Sequence, residues 1–245
     1  MSARIAVDDD RPTTVSPVAT PFDSGALGRL NAWFFGSFDR YINLISARHK
    51  RYAFADIAAG TVLEIGAGVG ANFDHLLHAT QLIALEPNQA MHPRLADRAQ
   101  ARGLDVRIIG APAENIPIPD NSIDTVICSL VLCTVRDPAR ALAEIYRVLK
   151  PGGAFRFVEH VAAHPFSPRR WIQATVRRPW SWLFEGCQLC RDTGALIDTS
   201  GFSETDIQNG RLRLSVFVPV NTVISGRATK PISGSTAATH AIEAS

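Results

Sequence analysis

Gly66, Gly68 and Gly70 stand at alternate positions, after the short apolar run Thr61-Val62-Leu63-Glu64-Ile65 and before Ala71-Asn72. Glycine permits the positive φ of a tight turn and lets a ligand lie against bare backbone. The stretch therefore predicts a buried strand turning sharply into a helix over 70–79. Free N–H groups at such a helix start favour an anionic or hydroxyl-rich ligand. Two acids frame the turn. Glu64 lies two residues before the first glycine, and Glu86 closes a second apolar run, Gln81–Leu85, at 86 − 66 = 20 residues beyond Gly66. An acid at that spacing is where a nucleotide's ribose is gripped.

The turn alone does not say which nucleotide, because nicotinamide enzymes use a related one. Here the last glycine of the dinucleotide fingerprint is displaced, and Glu64 can face a positively charged ligand group. Both features suit S-adenosylmethionine, which carries an amino-acid ammonium and no pyrophosphate. The cofactor residues expected from this reading are Glu64, Gly66, Ala67, Gly68, Gly70, Asn72, Glu86 and Pro87. Glu64 as a buried helix cap is the structural alternative. The functional rivals are a nicotinamide oxidoreductase and a module that only senses its cofactor.

Further chemistry lies downstream. His160, beside Glu159, is a candidate base or a histidine hydrogen-bonded at a strand end. Cys133 reads as a pocket wall. Trp171, Trp180, Trp182 and Phe184 fall in one insert and imply an apolar acceptor, or simple core packing. Cys187 and Cys190 form a C-x-x-C pair, but no second pair of ligands has zinc spacing, and the setting is not thioredoxin-like. The expectation is no metal and two small buried side chains a helical turn apart.

The elements that must position these residues alternate. Strands are predicted at Val62–Ile65, Gln81–Leu85, Val106–Ile109, Ile123–Ser129 and Ala154–Val158. Helices are predicted over Gln89–Arg102 and Pro138–Leu149. Such alternation predicts an α/β fold, a mostly parallel sheet with helices on both faces and its ligand at the carboxyl ends of the strands. An aromatic-rich helix over Gly25–Ile57, containing Trp33, Phe34, Phe35, Phe38, Tyr41 and Ile42, is a lid over the site, a helix packed on the sheet edge, or a membrane-surface helix. Residues 1–24 and 227–245 read as disordered, leaving one domain over 25–226.

With 245 residues, 46% of them hydrophobic, the chain can bury a core. Its net charge of +2 predicts no nucleic-acid partner. No apolar run reaches the roughly 18 residues of a membrane span, so no stable membrane anchor is expected. Four dispersed cysteines suit a reducing cytoplasm.

The blocks VLEIGAGVGANF, LIALEPNQAM, APAENIPIPDNSIDTVICSLVLCTV and RDPARALAEIYRVLKPGGAFRFVEH, in that order, resemble the class I S-adenosylmethionine-dependent methyltransferases of the type 11 branch. The resemblance runs from about Tyr52 to Phe217. It implies a Rossmann-like sheet closed by an antiparallel pair, here Ser203–Ile207 and Val216–Ser225. It also implies that Gly66, Ala67 and Gly68 hold the methionyl part, Glu86 the ribose hydroxyls, Ala113 and Glu114 the adenine, and that Ser129 and Leu130 lie beside the methionine. The family often has Asp where this chain has Pro112, which weakens the two adenine assignments.

The blocks SLVLCTV, FVEHVAA, PWSWLFEGCQLCRDT and GFSETDI resemble the thiol S-methyltransferases of the methyltransferase-like seven family, including a signature at Gly186, Cys187, Leu189 and Arg191. Those relatives begin with a hydrophobic anchor that this chain does not show. The resemblance implies a small acceptor, foremost a thiol, with quinone-like or phenolic oxygen or carbon, or an amine, as alternatives. The acceptor is expected against Tyr41, Cys133, Trp180 and Phe184, under an insert spanning 165–200.

Overall fold

The computed structural model describes residues 25–232; the expectations for 1–24 and 233–245 fall outside it. Seven strands form one sheet in the order β3-β2-β1-β4-β5-β7-β6. They are β1 (Thr61–Ile65), β2 (Gln81–Leu85), β3 (Val106–Ile109), β4 (Ile123–Ser129), β5 (Leu149–His160), β6 (Ser203–Arg211) and β7 (Thr222–Thr229). The first five are parallel, and β7 runs antiparallel between β5 and β6. Strand order reverses between β1 and β4, which opens the ligand crevice at their carboxyl ends.

Side chains alternate across each strand and split the core in two. On one face Leu63, Ile65, Val126, Phe155 and Phe157 pack with Ala141, Leu142 and Ile145 of α3 (Pro138–Val148) and with Ile197 of α5 (Thr193–Asp198). On the other, Val62, Leu82, Ala84, Ile127 and Val158 meet Leu95 and Ala99 of α2 (His92–Ala101) and the end of α1 (Ala26–Ala53). Asp137 caps α3 by accepting from the Arg140 amide, with Pro138 at the first helical position. At the foot of α1, Arg156 donates to the carbonyls of Ala53, Ala55 and Asp56. The start of α1 reaches the crevice, where the Gly28 carbonyl accepts from Asn88 Nδ2 at 3.0 Å.

Four expectations need correction. No α-helix follows the glycine turn: 70–79 is a chain of turns around a single 3-10 turn, Phe73–His75. Gly70 has φ +78°, and the buried Phe73 and Leu76 are three residues apart, the period of a 3-10 turn. The helix expected over Gln89–Arg102 begins as another such turn, Gln89–Met91, before α2. The last strand begins at Thr222 instead of Val216, because Pro219 has no amide to donate and Val218–Val220 forms a 3-10 turn. That strand runs to Thr229, past the domain edge expected at 226.

Candidate active site

At the end of β1 the chain turns through Gly66 (φ +62°), Gly68 (φ +56°) and Gly70. The left-handed region penalises any side chain here, but the first two positions differ in space. A methyl group added at Gly66 would come within 2.4 Å of Val131, whereas at Gly68 it would meet only Met91 Sδ at 3.8 Å. Gly66 is therefore small to let the β4 loop pack, and Gly68 leaves a backbone cradle open. Ala67 is buried between them.

Glu64 is fully buried on the face that meets α1. Its Oε1 accepts from Asn72 Nδ2 at 2.7 Å, while Oε2 has no protein partner. Burial pushes its carboxyl up to about 7, opposed by the Asn72 bond and by Lys50. Lys50, buried on α1, is pushed down to about 8 by that burial. Asn72 Oδ1 is likewise buried without a partner. These orphaned acceptors beside an open glycine cradle suit a ligand that brings an ammonium group.

Glu86 closes β2. It is buried, its oxygens accept from the Gly68 and Asn88 amides at 2.8 Å each, and burial lifts its carboxyl to about 7. A carboxylate has about four acceptor positions, so two hydroxyl donors can still be received. Half-buried Pro87 follows it. Asn88, missed in the sequence, ties the crevice to its cover: its Nδ2 donates to Gly28 of α1 and to Glu185 Oε1 at 2.7 Å.

Glu114 sits elsewhere in the hydrogen-bond scheme. Its Oε1 accepts from the Arg136 and Asp137 amides and its carbonyl from Arg140, so the group expected at the adenine caps the entry to α3. Ala113 is buried in the core nearby. Past Ser129, Leu130 adopts φ +61°, a strained setting for a leucine, and its amide bonds Val158.

Leu130 then lines an apolar cavity of about 100 Å³. Its walls include Phe34 and Phe35 of α1, Trp180 of α4 (Pro168–Leu183), Phe184 and Phe217, with Cys133, His160 and Cys187 among its polar members. The expected residues Cys133, His160, Trp180 and Phe184 are thus brought together, and Glu185 joins this cavity to Asn88 and the crevice. Tyr41 is not: its hydroxyl donates to the Leu214 carbonyl and accepts from the Val216 amide, tying down the loop that carries Phe217. Nor do all four insert aromatics turn inward. Gln173, Val176 and Trp180 share the inner stripe of α4, leaving Trp171 and Trp182 72% and 73% exposed.

His160 and Glu159 are not partners, since successive residues of β5 face opposite sides. Glu159 accepts from Cys128 Sγ and the Val131 amide and props the β4 loop. His160 Nε2 lies 2.9 Å from Cys187 Sγ, which also receives Trp180 Nε1 at 3.3 Å and lies 3.9 Å from Cys133 Sγ. The Cys133 hydrogen bond first, then His160 and Trp180, draw the Cys187 thiol down, while Cys133 is held up. The C-x-x-C pair does not sit on a helix. Cys187 is buried just past a turn, Cys190 is only half-buried, and the neighbours of Cys187 come from β5, the β4 loop and α4.

The sheet, its switch point and the acid-lined glycine turn define a class I S-adenosylmethionine-dependent methyltransferase, and S-adenosylmethionine is its cofactor. Residues 63–157 match the methyltransferase domain family. The chain is 35% identical over 193 residues to the thiol S-methyltransferase TMT1A of Homo sapiens, covering 75% of this chain and 79% of that one. It is 37% identical over 193 residues to TMT1B of Mus musculus, covering 74% and 78%. A solved S-adenosylmethionine-dependent methyltransferase of Thermotoga maritima shares the fold, with a TM-score of 0.58 at 24% identity over 83% of this chain and 99% of that one. The chain belongs to the family of the TMT1 thiol S-methyltransferases. Among the described residues no helix is long and apolar enough to cross a membrane.

Proposed function

We propose that the protein methylates a small, apolar thiol. The observation that carries this reading is the cavity beside Leu130, walled by aromatic rings, with Glu185 at its lining and with His160 bonded to the Cys187 sulfur. The likeness to TMT1A supports it. At about 100 Å³ the cavity is smaller than the roughly 150 Å³ that takes benzene, so the acceptor is small or opens the wall as it enters.

In this reading Glu64 and Asn72 receive the ammonium of the donor, Gly66 to Gly68 its methionyl chain, and Glu86 its ribose hydroxyls. Ala113 flanks the adenine. When bound, the cofactor supplies an electrophilic methyl group on a sulfonium. The chain's own work is to align an acceptor sulfur and exclude water, which α1 and the insert do by meeting over the crevice through Asn31, Asn88 and Glu185. A thiol needs little base assistance, because a few per cent is ionised at neutral pH. His160 therefore acts with Cys187 and Cys133, not as a lone base. Four free cysteines, two of them 3.9 Å apart, suit a reducing compartment such as the cytoplasm.

A panel of apolar thiols, phenols and amines, scored by mass spectrometry for methylated product, tests the proposal. Thioether from the thiols is expected, at rates at least about tenfold above any other class. Product from phenols or amines with none from thiols would refute it.

A further inference from the structure

We infer that Cys133, His160 and Cys187 form a zinc site whose fourth position is left for the acceptor sulfur. Three elements converge on it: the loop after β4, the end of β5 and the turn after α4. One ligand atom from each lies within 4.8 Å of the others, and all three residues are buried. Tetrahedral zinc with sulfur ligands at about 2.3 Å places neighbouring sulfurs about 3.8 Å apart. The Cys133 and Cys187 sulfurs are 3.9 Å apart. His160 Nε2, at 2.9 Å from Cys187 Sγ, needs to withdraw by about half an ångström to make room for the ion.

The donor set and its surroundings also fit. Two thiolates and a neutral imidazole are a zinc-type set, and two thiolates balance the charge of a divalent ion in a buried apolar site. Trp180 Nε1–H points at Cys187 Sγ from 3.3 Å, the outer-shell donor that a metal-bound thiolate takes. The segments are pinned before any ion arrives. The Gln188 amide donates to the Cys133 carbonyl at 2.8 Å, and Arg191 donates to the Leu132 and Val135 carbonyls that flank Cys133. Three protein ligands with an open position are the pattern of a catalytic zinc, and here the cavity opens onto all three of them.

This deepens the thiol reading and rests on it for the fourth ligand. The acceptor R–SH binds as thiolate, and its proton passes to solvent. A sulfur lone pair forms the new S–CH3 bond as the sulfonium C–S bond breaks. S-adenosylhomocysteine and the thioether leave, and the thioether, a weaker ligand than a thiolate, frees the position. No oxidant or reductant is needed.

The test is metal content of the full chain, expressed with zinc and purified with a non-chelating reductant. About one zinc per chain is expected, falling at least tenfold in Cys133→Ala and Cys187→Ala and unchanged in Cys190→Ala. Cobalt(II) titrated into the zinc-free protein should give intense tetrahedral visible bands and a thiolate charge-transfer band, and an added apolar thiol should shift that band. This spectrum reads the intact sequence, so the proposal stays open to refutation if a variant fails to fold. Zinc that never binds, a Cys133–Cys187 disulfide in its place, a six-coordinate cobalt spectrum, or a band indifferent to thiol would each overturn the site. A metal-free protein that still methylates thiols would sink the zinc and leave the proposed reaction standing. A metal-loaded protein whose band shifts with thiol yet makes no thioether would support the site and sink the reaction.

Discussion

Glu86→Ala is expected to abolish the rise in melting temperature that S-adenosylhomocysteine gives the parent protein. Two hydroxyl donors to one buried carboxylate are worth about 3 kcal/mol or more together, so affinity should fall at least about a hundredfold. The variant also strands the Gly68 and Asn88 amides, which now donate to Glu86, and some stability is lost with them. The informative quantity is therefore the ligand-induced increment, not the melting temperature itself. Glu114→Ala is the companion. Its carboxylate holds the amides before α3, so stability should drop while the increment survives. An increment that survives in Glu86→Ala, or is lost in Glu114→Ala with the fold intact, would move the nucleoside to the other acid. NAD should give no increment to the parent.

The second large effect is on pH, and its sign follows from burial. Glu64 and Glu86 are raised from 4.5 to about 7 in the fold, so folding favours their protonated forms. A raised group contributes stability that is fully present below its unfolded value and lost as pH climbs through the folded one. The free protein should therefore weaken between about pH 4.5 and pH 7, by up to about 3 kcal/mol for each carboxyl. Lys50 does not cancel this. Its folded value, about 8, lies below 10.5, so its contribution is lost as pH falls toward 8 and is constant through the lower window. Half-buried His75, lowered by burial, acts the other way, losing stability as pH falls below its ordinary 6.5. The ligand favours the ionised acids, because its ammonium faces Glu64 and its hydroxyls face Glu86. The S-adenosylhomocysteine increment should grow from about pH 5.5 to pH 8, while the melting temperature of the free protein declines. Parallel curves with and without ligand would show that neither acid meets it.

Much of the sheet was legible because many of its strands are short apolar runs punctuated by turn residues, and the glycine turn because left-handed backbone favours glycine and three glycines stand there at alternate positions. The place of Glu86 beside the glycine turn was legible from spacing alone. The helix over 70–79 was misread because a 3.6-residue pattern and a 3-10 pattern look alike when only Phe73 and Leu76 anchor them. Val216 to Val220 looked like a strand because hydropathy does not register the missing amide of Pro219.

The acceptor side was harder to see for a different reason. Cys187 was in view as half of a C-x-x-C pair, yet its neighbours are Cys133 and His160, brought in from 54 and 27 residues away. Asn88, Glu185 and Lys50 carried no local signal at all, since each matters only for what α1 and the insert bring against it. Tyr41 was drawn into the pocket by its aromatic neighbours, but its hydroxyl is spent on the loop holding Phe217.

Donor and acceptor are expected on two sides of Leu130, and a crystal structure with S-adenosylhomocysteine and an apolar thiol tests that most directly. The homocysteine amine should sit against Glu64 above Gly68, and the ribose on Glu86. The thiol sulfur should lie among Cys133, His160 and Cys187, with its apolar body against Phe34, Trp180 and Phe217. A thiol found instead in the broad groove lined by Arg48, His49, Arg170 and Asn209, on the β6–β7 side of the sheet, would contradict it.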